Sequence, residues 1–199
     1  MKLSVFCGVS VDGFLARPDH TFDFLDTPGQ GPHGFDEFWS SVDAVLIGRR
    51  TFNAARSFAG PWAYGKKPVF VLTHRQPDFS SLRGAVVEAI AGEPRAVADQ
   101  LEERGFQHIY VDGGQTIQQF LAAGLIDRMI VTRVPVLIGE GISLFGPIPR
   151  DIALRHIATQ TFQGGLVQSE YAIGGKPSKP ARKTVATRKR QTARSTREN

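Results

Sequence analysis

Hydrophobic and polar positions follow one another along the chain in a pattern typical of strands that lead into helices. Apolar runs at 3–9, 44–47 and 69–72 predict buried strands. Gly48 follows the second run and leads directly into a helix, while the third run ends in a polar segment. Strands that alternate with helices in this way predict an α/β domain with a mostly parallel sheet.

The middle of the chain continues the same alternation. A short strand is predicted at 85–87, and an amphipathic helix begins near Pro94. Residues 108–121 predict a strand that runs into a helix through Gly113 and Gly114. This glycine pair is the second place where a buried strand passes into a helix through glycine.

The end of the domain has the pattern of strands without intervening helices. Residues 129–138 predict a long strand that Pro135 disrupts, and segments 152–162 and 166–173 predict a hairpin around a glycine turn. The predicted architecture is therefore a mostly parallel central sheet with an antiparallel C-terminal hairpin.

The segment between the first two strands has a different composition. Residues 17–34 are dense in Pro, Gly, Asp, Thr and His, which predicts an irregular surface loop. The apolar positions Phe35, Phe38, Trp39 and Val42 then fall on one helical face.

Charge divides the chain into two parts. Residues 1–173 carry a net charge of −3 and residues 174–199 a net charge of +8, so the pI near 9.7 belongs to the tail. The tail has almost no apolar side chains to bury, and we expect a domain over 1–173 followed by a disordered basic tail. Weak, non-specific nucleic-acid contact through residues 176–197 is the interaction that this charge favours.

The remaining composition excludes several classes of protein. Cys7 is the single cysteine, which excludes an internal disulfide framework and fits a reducing compartment. No segment approaches the roughly 20 apolar residues of a membrane span, so we expect a cytoplasmic protein without a membrane partner. The five histidines show no metal-ligand spacing, and no metal site is predicted.

Candidate chemistry lies where the predicted strands end. The carboxyl ends of parallel strands meet at one edge of a sheet, which brings together segments 48–51, 73–75 and 113–116. Glycines let the backbone approach a ligand closely, and helix N-termini favour negatively charged groups. An arginine side chain can bind a phosphate through two hydrogen bonds. The three segments together predict a site for a ligand with several phosphates, although the chain has neither a Rossmann fingerprint nor a P-loop.

Several short motifs in this order resemble the dihydrofolate reductase superfamily, and in particular the branch related to the C-terminal reductase domain of the bifunctional riboflavin-synthesis deaminase/reductase. The resemblance spans nearly all of residues 1–173. The motifs that carry it are Ser10-Val11-Asp12-Gly13, Ile47-Gly48-Arg49-Arg50-Thr51-Phe52, Val111-Asp112-Gly113-Gly114, Gly124-Leu125-Ile126-Asp127, Pro135-Val136-Leu137-Ile138-Gly139-Glu140-Gly141 and Leu144-Phe145.

The resemblance implies a three-layer dihydrofolate-reductase-like fold, NADPH as cofactor, a homodimer, and hydride transfer to a small heterocyclic substrate. The implied reaction is similar to that of 5-amino-6-(5-phosphoribosylamino)uracil reductase. Segment 48–51 would hold the cofactor's phosphates, 73–75 would lie near the adenosine 2′-phosphate, 113–117 would cradle the pyrophosphate, and Gly13 would border the nicotinamide. The implied cofactor-binding set is Gly13, Gly48, Arg49, Arg50, Thr51, Leu72, Thr73, His74, Arg75, Asp112, Gly113, Gly114, Gln115, Thr116 and Ile117.

A reduction that also needs a proton requires a donor, and three carboxylates are candidates. Asp36 and Glu37 lie about where dihydrofolate reductases place their substrate-binding acid, and Asp12 lies in the turn after the first strand. A carboxyl group in an apolar setting is a suitable donor because desolvation raises its pKa. Asp36 and Glu37 are alternatively helix N-terminal charges, and Asp12 is alternatively a turn-forming residue.

Two other functions fit the same sequence. The chain is alternatively a nucleic-acid-associated protein that acts through its basic tail, or a nucleotide-binding domain without catalysis.

Overall fold

The computed structural model describes residues 1–26, 31 and 33–174. The strands are β1 (Lys2–Ser10), β2 (Phe14–Ala16), β3 (Ala44–Gly48), β4 (Val69–Leu72), β5 (Val87–Ile90), β6 (His108–Asp112), β7 (Arg128–Val134), β8 (Ile142–Ser143), β9 (Leu154–Thr161) and β10 (Val167–Ile173). The helices are α1 (Phe35–Ser41), α2 (Arg49–Ser57), α3 (Pro94–Glu103) and α4 (Gly114–Ala122), with 3-10 turns at Asp23–Leu25 and Gln163–Gly165. The predictions for the basic tail lie outside the described residues beyond Gly174.

Eight strands form one sheet in the order β5-β4-β3-β6-β1-β7-β10-β9. The strands from β5 to β7 are parallel, and β10 is antiparallel to both β7 and β9. The predicted parallel sheet with an antiparallel C-terminal hairpin is therefore confirmed.

Helices cover both faces of this sheet. Val97 of α3 and Ile117 and Phe120 of α4 pack in one hydrophobic cluster, while Phe38 of α1 and Phe52 of α2 pack in the other. The strands between the two helix layers, such as β3 with four fully buried residues, are apolar on both faces. This three-layer arrangement confirms the predicted fold class.

Two predicted strands differ from the observed ones in their bounds. The strand predicted at 85–87 begins at Val87, because Val86 is 56% exposed and pairing with β4 starts where Val87 lies opposite Val69. The strand predicted to reach residue 138 ends at Val134, because Pro135 has no N–H to donate to a ladder.

A two-stranded ribbon of β2 and β8 lies beside the main sheet. It brings Leu15 and Ile142 within contact distance of Gly114, where an added Cβ would lie 3.2 and 3.1 Å from their side chains. The ribbon thus borders the β6–α4 junction from one side. In the described part of the chain, no helix has the length and apolarity needed to cross a membrane.

Candidate active site

The carboxyl ends of β3, β4, β5 and β6 open into one cleft of about 1590 Å³. The strands end next to each other, since Ile47 lies opposite Asp112 and Gly48 lies opposite Leu72. Twelve of the fifteen residues predicted to bind a cofactor line this cleft, and we call their part of it the phosphate end. They are Gly48, Arg49, Arg50, Thr51, Leu72, Thr73, His74, Asp112, Gly113, Gly114, Gln115 and Thr116.

The two glycine junctions of the phosphate end pack against each other reciprocally. A Cβ at Gly113 would lie 2.1 Å from Oγ1 of Thr51, and a Cβ at Gly48 would lie 2.8 Å from Oγ1 of Thr116. Each glycine thus leaves room for the threonine in the first turn of the other junction's helix. Gly113 also has a φ of 90°, which side chains disfavour. Close approach explains both glycines, and backbone conformation adds a second reason at Gly113.

Three helix N-termini reach the cleft; α2 and α4 begin with backbone N–H groups, whereas the first residue of α3 is Pro94, which has none. α2, α3 and α4 have no capping hydrogen bond from a side chain and no acidic residue in the first turn. Arg49 and Arg50 are exposed and form no ion pair with any residue that the structure describes. Uncapped helix ends beside two available guanidinium groups favour an anionic ligand.

Three predicted cofactor-binding residues lie elsewhere. The Ile117 side chain is fully buried in the core, because it lies on the inner face of α4. Arg75 is exposed beyond the cleft, where its N–H bonds to Oγ1 of Thr73. Gly13 forms the turn after β1, and its carbonyl accepts a hydrogen bond from the N–H of Leu144. None of the three lines the cleft, and their role in cofactor binding stays a prediction.

The rest of the cleft contains a continuous aromatic surface, which we call the aromatic wall: Phe6, Phe35, Trp39, Tyr64 and Tyr110. The Phe35 ring stacks on Trp39 with centroids 5.8 Å apart, and Phe6 and Tyr110 meet Phe35 edge to face. The Tyr110 hydroxyl donates to the carbonyl of Phe6 over 2.8 Å. These mutual contacts fix the rings before any ligand binds.

Asp112 lies where the phosphate end meets the aromatic wall. Its Oδ1 accepts the N–H of Gly113 over 2.7 Å, and its Oδ2 accepts the hydroxyl of Tyr64 over 3.0 Å. Burial raises the pKa of the Asp112 carboxyl, and the bonds from Tyr64 and Gly113 oppose that rise only in part. Burial beside Asp112 also raises the pKa of the Tyr64 hydroxyl and of the Cys7 thiol, so both stay protonated.

The three carboxylates predicted as proton donors lie outside the cleft. Asp36 and Glu37 are exposed in the first turn of α1, the position that complements a helix dipole. Asp12 is exposed, and hydrogen bonds from Ser10 and from the N–H groups of Gly139 and Ile138 lower its pKa. The apolar setting that the prediction required is therefore absent at all three, and it is found at Asp112 instead.

Tyr64 and Tyr110 were missed as site residues, and Trp39 was assigned only to a helical face. Tyr64 lies in a segment, 59–67, that combines glycine, proline and lysine with two large aromatic side chains. Two aromatic residues in a segment whose other residues are typical of turns are the sequence signal that could have indicated Tyr64 as a site residue. Tyr110 gave no such signal, because its position within an apolar strand is also that of a core residue.

The dimensions and donors of the phosphate end fit a dinucleotide. The cleft exceeds the roughly 300–1,000 Å³ of an ordinary small-molecule pocket, which leaves room for a second, smaller ligand against the aromatic wall. Gly48 and Gly113 let the two junctions pack against each other through Thr116 and Thr51, so that α2 and α4 begin side by side. These residues can hold a pyrophosphate through backbone N–H groups and arginine side chains.

Comparison with known proteins identifies relatives along nearly the whole domain. The pattern of the family described as RibD C-terminal domain matches residues 1–168. YwjB, an uncharacterised protein of Bacillus subtilis (strain 168), is 32% identical over 172 residues, which cover 85% of this chain and 97% of YwjB.

Three solved structures share the fold. A Shewanella sp. PV-4 protein assigned to riboflavin biosynthesis is 32% identical with a TM-score of 0.82, covering 88% of this chain and 100% of its own. The Thermotoga maritima diaminohydroxyphosphoribosylaminopyrimidine deaminase/5-amino-6-(5-phosphoribosylamino)uracil reductase is 13% identical with a TM-score of 0.67, over 87% of this chain and 56% of its own. Enterococcus faecalis dihydrofolate reductase, solved with NADP(H), is 16% identical with a TM-score of 0.57, covering 87% of this chain and 97% of its own. The last two likenesses concern the fold.

Proposed function

The chain belongs to the RibD C-terminal domain family, and on that premise we propose that it is an NADPH-dependent reductase of a small heterocyclic compound. The observation that carries the proposal is the phosphate end of the cleft, where two glycine junctions, three uncapped helix ends and two available arginines meet. A relative with this fold was solved with NADP(H), which supports the choice of cofactor.

Each part of the phosphate end has a separate task in holding NADPH. The N–H groups at the starts of α2 and α4 bind the pyrophosphate, and Arg49 and Arg50 neutralise its charge. Thr73 and His74, which follow β4 farther along the sheet, face the adenosine half. NADPH supplies the hydride when it is bound. The task of the chain is to orient it and to exclude water.

We assign the role of proton donor to Asp112. Its carboxyl group is partly buried next to the aromatic wall, and burial raises its pKa, so the acid form persists at higher pH than for an exposed aspartate. Tyr64 holds Oδ2 and the Gly113 N–H holds Oδ1, which fixes the plane of the carboxyl group. An acid in that position can give a proton to a ring nitrogen of a substrate that lies on the wall.

Cofactor binding can be tested with the full-length chain alone. We expect NADPH to quench the emission of Trp39, which lines the cleft, and to give a saturable calorimetric titration in the micromolar range. The double variant R49A/R50A should bind NADPH at least 30-fold more weakly and with a smaller salt dependence. Arg155→Ala, on the exposed edge strand β9, is the control and should leave affinity unchanged.

Absence of NADPH binding at millimolar cofactor would overturn the proposal. Equal losses in R155A and R49A/R50A would also count against it, because they would point to general electrostatics rather than to this site. If NADPH binds while Asp112→Asn has no effect on the reduction of any substrate, the assignment of the proton to Asp112 is wrong.

A further inference from the structure

The positive charge of the chain is concentrated in residues 176–197. This segment carries nine lysines and arginines and no acidic residue, whereas residues 1–173 carry a net charge of −3. Within the domain, the basic side chains of Arg17, Arg104 and Arg128 are each paired with a carboxylate. A polyanion is therefore attracted by the basic tail and repelled by the net charge of the domain.

The last strand fixes the point at which the basic tail leaves the domain. The described chain ends at Gly174, directly after β10. β10 is antiparallel to β7, with Ala172 opposite Arg128, the first residue of β7, and the N–H of Ile173 donates to the carbonyl of Asp127. β10 thus ends at the edge of the sheet where the parallel strands begin, whereas the cleft opens at the edge where they end. The length of β7 separates the two edges by roughly 20 Å.

The phosphate end of the cleft does not attract the basic tail. Arg49 and Arg50 are themselves positively charged, and α2, α3 and α4 have no acidic residue in their first turns. Because like charges repel, a segment rich in lysine and arginine is disfavoured there. The cleft and the basic tail therefore attract anions independently, from opposite edges of the sheet.

The residues between the lysines and arginines indicate which polyanion fits the basic tail. The tail has no aromatic residue with which to stack on the bases of a single strand. Val185 is its largest aliphatic residue, so it has no apolar face to bury in a membrane surface. The remaining attraction is to phosphate charge, and duplex DNA presents one such charge per about 1.7 Å of its axis.

We propose that the basic tail binds the phosphate backbone of duplex DNA without sequence specificity and tethers the domain there, with the cleft at the opposite edge of the sheet. This interaction goes beyond the proposed function, because it needs neither NADPH nor a substrate. If roughly five to nine phosphates are neutralised, log affinity falls against log salt with a slope of about −4.5 to −8. The dissociation constant should be roughly 1–100 μM at physiological salt.

The salt dependence of DNA binding tests the proposal on the 199-residue chain. A fluorescein-labelled duplex of roughly 30 base pairs, titrated by anisotropy at several salt concentrations, gives both the affinity and the slope. A variant with glutamine at all nine basic positions of the tail should bind at least about 30-fold more weakly at about 50 mM salt and lose most of the slope. The nine positions are Lys176, Lys179, Arg182, Lys183, Arg188, Lys189, Arg190, Arg194 and Arg197.

Two triple variants with the same change of charge separate the basic tail from the domain. Replacing residues 188–190 by glutamine removes three positive charges from the tail. Replacing Arg133, Arg150 and Arg155 by glutamine removes three from exposed positions of the domain. The tail variant should reduce the slope by about 2 to 3 and weaken binding at least about fivefold at about 100 mM salt. The domain variant should change the affinity less than about twofold.

The outcomes distinguish the basic tail from other sites and duplex DNA from other partners. Saturating duplex should change the NADPH affinity less than about twofold, because the two edges lie farther apart than a Debye length. Displacement of NADPH by the duplex, or equal losses in the two triple variants, would show that DNA binds the domain and would overturn the proposal. Tighter binding to a single strand of equal length, or to phosphatidylserine vesicles of equal charge, would refute duplex DNA as the partner.

Discussion

The two ends of the cleft are built by different parts of the polypeptide. The phosphate end consists of backbone and first-turn residues at junctions that are each contiguous in sequence, such as 48–51 and 113–116. The aromatic wall consists of single side chains from β1, α1, β6 and the segment before β4. A site made of backbone tolerates few changes at glycine, whereas a site made of side chains can be altered one ring at a time. Substitutions in the two ends should therefore fail in different ways.

The largest effect is expected for Gly113→Ala. The new Cβ would meet Oγ1 of Thr51 at 2.1 Å, and φ of 90° is strained for alanine. We expect a loss of roughly 2–4 kcal/mol in the free energy of unfolding, from strain and the displaced first turn of α2. NADPH affinity should fall at least 100-fold. Urea unfolding and NADPH titration measure the two quantities.

Gly124→Ala is the matched control for this substitution. Gly124 has φ of 68°, but an added Cβ would have no neighbour within 4 Å, so only the backbone strain remains. We expect about 1 kcal/mol of destabilisation and unchanged NADPH affinity. The loss caused by G113A should also shrink in a T51A background, since the contacting hydroxyl is gone. Equal stability losses in G113A and G124A would show that close packing at the junction is unimportant.

The second largest effect is expected at Asp112, where the two ends meet. Asp112→Asn should lower kcat about 100-fold or more, which is the usual range for loss of a general acid. NADPH affinity should change less than threefold, because the amide oxygen of asparagine can still accept the N–H of Gly113 at the phosphate end. Stopped-flow single-turnover assays separate the chemical step from binding. A parallel loss of NADPH affinity would contradict the division of the cleft into two ends.

The direction in which activity changes with pH can be checked. Burial raises the pKa of Asp112, so activity that needs the acid form should decline as pH rises through that raised pKa. The Tyr64 hydrogen bond lowers the pKa of Asp112, and Tyr64→Phe should move the decline to higher pH. The same ionisation costs stability in the folded state, so the wild-type chain should lose stability over this pH range relative to D112N. A decline that Y64F moves to lower pH would refute this account.

The contrast between the two ends also explains what the sequence analysis could predict. The glycine junctions were found because a buried apolar run, a glycine and a helix start are adjacent in sequence, and the order of the strands brings their ends together. The fold class and the C-terminal hairpin followed from the same local signals. Strand bounds at 87 and 134 depended on pairing and on Pro135, and periodicity alone did not give them.

The aromatic wall could not be predicted in the same way. Tyr64 and Asp112 are 48 residues apart, and nothing in their neighbourhoods indicates that a hydrogen bond joins them. Phe35 and Trp39 have the spacing of an ordinary amphipathic helix, and only their stacking in the cleft distinguishes them from core residues. The resemblance carried by Val111-Asp112-Gly113-Gly114 implies Asp112 as a cofactor-binding residue, whereas its burial and raised pKa depend on tertiary packing.

A smaller effect is expected at the far part of the phosphate end. His74 lines the cleft and its neighbour Arg75 does not, so the pair provides an internal comparison. His74→Ala should weaken NADPH about three- to tenfold and NADH less than twofold, if it contacts the 2′-phosphate, and Arg75→Ala should change neither. Calorimetric titration of both cofactors measures this. An Arg75→Ala effect as large as that of His74→Ala would show that the 2′-phosphate lies outside the cleft.

The smallest effect is expected for the three carboxylates outside both ends. Asp36→Asn, Glu37→Gln and Asp12→Asn should each keep kcat within about twofold of the wild-type value, because none lines the cleft. Asp12→Asn should still lower stability slightly at neutral pH, since its carboxylate accepts the N–H groups of Ile138 and Gly139. That difference should vanish as pH falls through the lowered pKa of Asp12, where the wild-type carboxylate is protonated as well. Thermal melts at neutral and acidic pH measure this stability difference. A large loss of kcat in any of the three variants would indicate that the substituted residue is the proton donor.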